Sequence, residues 1–107
     1  MNSFREASWI VKHLKWKFAE IFEENVEDFF NELDSLGLVS LENYLEFCSK
    51  DSAAEKTEEL IDLILQNGER ACEKFLNHLE ILVLRFPDLA GLSQVLLEGA
   101  SYLLISR

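Results

Sequence analysis

The feature that most constrains this chain is a run of apolar residues spaced by three and four between positions 72 and 86. Cys72, Phe75, Leu76, Leu79, Leu82, Val83 and Phe86 fall on one stripe of an α-helix, whereas a strand would alternate at every second residue. A helix that is apolar on one side only has to bury that side against other elements. The same spacing recurs upstream. Ile10, Leu14, Phe18 and Ile21, flanked by Val11 and Phe22, define a first helix over 8–24. Val26, Phe29, Phe30 and Leu33 define a second over 26–36, with Gly37 as its stop. Ser40 is placed to cap a third, whose inward face reads Leu41, Tyr44, Leu45 and Cys48. Ser52 followed by Glu55 is a capping-box signature for a fourth helix, with Leu60, Ile61 and Ile64 inward and Gly68 as its end. The 72–86 stripe is the fifth. Pro87 suits a first helical position and opens a sixth, with Leu89, Leu92, Val95 and Leu96 apolar.

Six short amphipathic helices with short connections predict an all-α fold, a six-helix antiparallel bundle. The four glycines and single proline are too few for the turns of an all-β domain. At 107 residues the chain is one domain's worth. A domain of this size buries roughly two-thirds of its unfolded surface, enough for a core without metal or disulfide staples. The expectation is a single domain over 1–107, with its core at about 5–98 and a tail at 99–107.

The net charge of −10 is unevenly spread. Residues 1–17 carry net +3, residues 18–62 net −12, and residues 63–107 net −1. Nucleic acid and anionic membrane are repelled by such a surface, so neither is expected as a partner. Lys12, His13, Lys15 and Lys17 interrupt any signal-peptide core, and no apolar run approaches a membrane span. The cytoplasm, where thiols stay reduced, is the expected compartment.

Little in the chain suggests catalysis. His13 and His78 are far apart, and there is no HExxH, Cys-His cluster or P-loop. Cys48 and Cys72 match no zinc spacing, and both sit on apolar stripes, where a thiol is a small hydrophobe. No catalytic residue, metal or cofactor is expected. The carboxylates Glu27, Asp28 and Asp34 lie opposite the apolar stripe of the second helix, and Glu42 and Glu46 do so on the third. On convex faces they lack the pocket that acid–base chemistry needs. Trp9 and Trp16 are seven residues apart, on one face with Lys12 between them. They either pack within the bundle or form an aromatic contact, since exposed tryptophans are enriched at binding hot spots.

From position 33 to 92 the chain resembles a caspase recruitment domain (CARD) of the death-fold superfamily. A Gly37-Leu38-Val39-Ser40 turn leads into the glutamate-bearing third helix. The fourth helix carries Lys56, Leu60, Ile61, Asp62, Ile64 and Gly68 at the family's spacing. The fifth carries Ala71, Phe75, Leu76 and Leu79, and the last opens with Pro87-Asp88-Leu89. The stretch from Gly68 to Leu79 is the most specific. Pyrin and death-effector domains share the bundle but usually lack that spacing. The two tryptophans of the first helix depart from the family pattern.

The resemblance implies a CARD-type module for protein–protein interaction, not an enzyme. It would mediate homotypic death-fold assembly in apoptotic, inflammasome or NF-κB-type innate immune signalling. Such domains associate through complementary charged faces. The basic face here would be Lys12, Lys15 and Lys17, and the acidic face Glu27, Asp28, Asp34, Glu42 and Glu46. Having both halves would let the chain stack on itself into oligomers or filaments as well as bind other CARD proteins. The alternative is a stand-alone regulatory or decoy protein that binds without polymerising.

Overall fold

A computed structural model describes residues 6–92, and among these every regular element is helical. The α-helices are α1 (Ala7–His13), α2 (Lys15–Phe22), α3 (Val26–Ser35), α4 (Leu41–Ser49), α5 (Ala53–Gln66) and α6 (Glu69–Leu82). Short 3-10 segments follow α2 at Glu23–Asn25 and close the described chain at Pro87–Leu92. The all-α bundle read from the sequence is therefore present. Val95, Leu96 and the 99–107 tail lie outside the described residues.

The expected first helix is two. Leu14 serves as C-cap of α1 and N-cap of α2 with φ −101° and ψ 12°, outside the helical well. Its N–H still donates to the Ile10 carbonyl and its carbonyl still accepts from Phe18, so the break is a bend within one packed rod. Neither segment has a side-chain cap of its own sequence neighbourhood. Instead, the Glu69 carboxylate at the start of α6 accepts from the backbone N–H groups of Ala7 and, at 3.0 Å, Ser8. Two unpaired donors of α1 and the favourable charge at its N-terminus are thus supplied from 61 and 62 residues away.

The turn after α3 is a Schellman motif. Gly37 has φ 74°, its N–H donates to Asp34, and the Leu38 N–H donates to Leu33 at 3.0 Å. Leu33 and Leu38 are both buried, the apolar contact that accompanies this motif. Ser40 then caps α4 in a full capping box with Asn43, and Ser52 caps α5 by accepting from the Glu55 N–H at 3.1 Å.

One core holds the bundle together. Phe18, Phe22, Phe29, Phe75 and Phe86 cluster there, with Phe22 and Phe29 stacked at 3.9 Å and Phe18 edge-on to Phe75 at 5.3 Å. Phe30, Leu60, Phe75 and Leu79 are all buried, as the stripes required. The single buried polar side chain among the described residues, Thr57, donates to the Ala53 carbonyl at 2.7 Å and so costs little.

The reading of α4 needs correction. Of its expected inward face, Leu41, Leu45 and Cys48 are exposed and Tyr44 is partly so, and only Phe47 is buried. The Phe47 ring packs 4.9 Å from Phe30, with the Lys56 ammonium 5.3 Å from its centroid. The Schellman turn draws Leu38 into the core, and the cap at Ser40 then fixes the rotation of α4 about its axis. With that phase set, the Phe47 ring goes inward, Tyr44 lies at the edge against Phe30, and Leu41, Leu45 and Cys48 face outward. Cys48 is accordingly an exposed free thiol, while Cys72 is fully buried, its thiol within 3.8 Å of the Ile64 carbonyl.

Candidate interaction site

Each expected docking residue has a position in this frame. On the basic side, Lys12 is exposed near the end of α1. Lys15 turns back onto the domain and pairs with Asp62 of α5 at 2.7 Å. Lys17 lies over the Trp16 ring, 4.5 Å from its centroid, a cation–π contact within α2. Trp9 stacks on His13 at 4.5 Å with planes 10° apart. The rings of Trp9 and Trp16 are 42% and 60% exposed, so neither is a core residue. The bend at Leu14 places them on two successive short helices.

On the acidic side the structure divides the carboxylates into two groups. Asp28 bonds to the Asn25 amide at 2.9 Å and to Arg85 at 3.4 Å. Glu32, which the sequence does not single out, forms an ion pair with Arg85 Nε at 3.2 Å and hydrogen-bonds His78 Nε2 at 2.8 Å. That cluster ties α3 to α6 and the segment after it. Glu27 and Asp34 on α3, and Glu42 and Glu46 on α4, are exposed with no ion pair among the described residues. Tyr44 stands between the two helices, its ring 5.2 Å from Phe30. The Cys48 thiol one turn on, and then the charge of Glu27, push the Tyr44 phenol above its ordinary value.

The caspase recruitment domain family model matches residues 9–94. The chain belongs to that family. No curated protein and no solved structure matches it. As a CARD it is a protein–protein interaction module of the death-fold type. The residues that carry the family's spacing in α6, Ala71, Phe75, Leu76 and Leu79, are all buried, so that motif encodes the core and not the binding surface. What this CARD offers a partner has to be read from its exposed residues. Among the described residues no group of three or more His, Cys, Asp or Glu could hold a metal ion, and no helix is long and apolar enough to cross a membrane.

The ion pairs Lys15–Asp62, His78–Glu32 and Arg85–Asp28 join residues 46 to 57 apart in sequence. Nothing local announces them. They remove Lys15 and Asp28 from the fully free surface and leave Lys12 and Lys17 against Glu27, Asp34, Glu42 and Glu46 as the complementary sets.

Proposed function

We propose that this CARD assembles with other death-fold domains, and with copies of itself, through a cationic surface on α1–α2 and an anionic surface on α3–α4. The observation that carries this reading is the uneven spread of the surface charges: Lys12, Lys15 and Lys17 with Glu20 as the one carboxylate on α1–α2, and Glu27, Asp34, Glu42 and Glu46 on α3–α4 with no ion pair among the described residues. Surfaces of opposite sign at different places on one molecule make a heterologous contact, which grows into a filament when its rotation does not close. Membership of the family supports a place in apoptotic, inflammasome or NF-κB-type signalling in the cytoplasm, with residues 1–107 as a single interaction domain.

Charges at a contact rim chiefly set encounter rate and register, and salt screens them over about 10 Å at 0.1 M. The sharpest test reverses one charge on each surface. Lys12→Glu and Glu46→Lys suit this, because both residues are exposed and lack the intramolecular pairs that hold Lys15 and Asp28. A lysine at position 46 also lies in the later turns of α4, where a cation is favoured by the helix dipole. Each variant alone should assemble more weakly than the parent, and the two mixed should recover binding through one restored interface. Normal folding with undiminished assembly of both variants would show that the charges only solubilise the domain.

A further inference from the structure

The exposed apolar side of α4 is the largest departure from a simple amphipathic bundle. Leu41 is 75% exposed, Leu45 63% and Tyr44 41%, and Glu42 and Glu46 stand beside them. On the other helix pair Trp16 is 60% exposed with the Lys17 ammonium over its ring and Lys12 one helix before it. We propose that the Leu41–Tyr44–Leu45 face of α4 is a docking site for a second copy of this chain, and that Trp16 of that copy, with its lysines, is what it receives. This inference rests on the heterologous contact proposed above and gives that contact an apolar centre.

Charge decides the occupant. Two α4 faces brought together would oppose Glu42 and Glu46 to their own copies, and two tryptophan faces would oppose Lys12 and Lys17 to theirs with Glu20 as the one exposed carboxylate of each. The cross-pairing sets Lys12 and Lys17 against Glu42 and Glu46 while both apolar surfaces leave water. Docking the indole also carries Lys17 toward the carboxylates of α4, because that ammonium already rides on the ring. Large aromatic side chains ringed by polar residues form the energetic centre of interfaces, and the charged rim supplies register.

Sedimentation velocity on the full chain tests this with Trp16→Ala and the double variant Leu41→Ala/Leu45→Ala. All three side chains are exposed, so melting temperature and circular dichroism should match the parent. Each variant should need a concentration about thirty-fold higher to assemble, the loss expected of a hot spot. Mixed one to one, they should form dimers and nothing larger, since only one interface survives. A mixture that stays monomeric, a parent chain monomeric at every concentration, or variants that assemble like the parent would each overturn the proposal. Lys12→Glu and Glu46→Lys run alongside separate the two readings. If they abolish assembly while the alanine variants assemble normally, the charged contact stands and the apolar centre falls. The opposite pattern keeps the apolar centre and removes the charged contact.

Discussion

Phe75→Ala should be among the most damaging single changes in the domain. Its ring is fully buried and meets three others: Phe18 edge-on at 5.3 Å, Phe22 at 6.1 Å and Phe29 at 6.2 Å. Those rings belong to α2 and α3, while Phe75 belongs to α6. Collapse around the missing ring would have to move three helices at once, so the cavity stays largely open. Phe-to-Ala changes in cores cost about 3–5 kcal/mol, and aromatic pairs at these distances add about 0.5–1.5 kcal/mol each beyond area burial. The upper half of that range applies here. For a domain near this size about 4 kcal/mol corresponds to a fall in melting temperature of roughly 15 °C or more. Urea unfolding followed by circular dichroism would read the loss directly, with an unchanged slope against denaturant. A loss below about 1 kcal/mol would refute the placement of Phe75 at the centre of the core.

Three further changes probe the backbone and the thiols. Gly68 holds φ 97° and ψ −174°, a region close to glycine-only, and a Cβ there would meet nothing within 4 Å. Gly68→Ala should therefore cost about 1–3 kcal/mol in denaturant unfolding through backbone strain alone, and an unchanged midpoint would contradict this. Glu69→Ala removes the cap from Ala7 and Ser8, so it should cost about 1–2 kcal/mol and speed amide exchange at the start of α1 more than elsewhere. At pH 8 iodoacetamide should label Cys48 in the native protein and both cysteines in urea, because Cys72 is fully buried. Burial, then the charges of Glu69 and Glu73, push the Cys72 thiol up to about 11. The unfolded thiol ionises from about pH 8.5 while the native one keeps its proton, so stability should fall as pH rises through that window. Cys72→Ala would remove that slope.

What the sequence discloses here is what short-range spacing can encode. The stripes of α3, α5 and α6, the glycine stops and the serine caps depend on residues three or four apart, and each is where the pattern put it. The family spacing was legible for the same reason, since its most specific residues are core residues of α6. The failure at α4 has a definite cause. Leu41, Tyr44, Leu45 and Cys48 make a better stripe than Phe47 alone, but the phase of a nine-residue helix is set by the turn that delivers it. The Leu38 anchor and the fully buried Phe47 ring prevail over the four-residue stripe. Glu69 capping α1, Lys15 held by Asp62, and the His78–Glu32–Arg85 cluster link positions 46 to 62 apart, where periodicity carries no information. Surface chemistry was legible as charged positions on solvent faces, not as their pairing. Which lysines and carboxylates remain available had to be read after the internal pairs were known.

The measurement that bears most directly on this account is sedimentation velocity of the unmodified chain over a wide concentration range at low and high salt. Two complementary faces on one molecule predict species that grow past the dimer as concentration rises and that shrink as salt is added. A single monomeric boundary at every concentration, unmoved by salt, would contradict it.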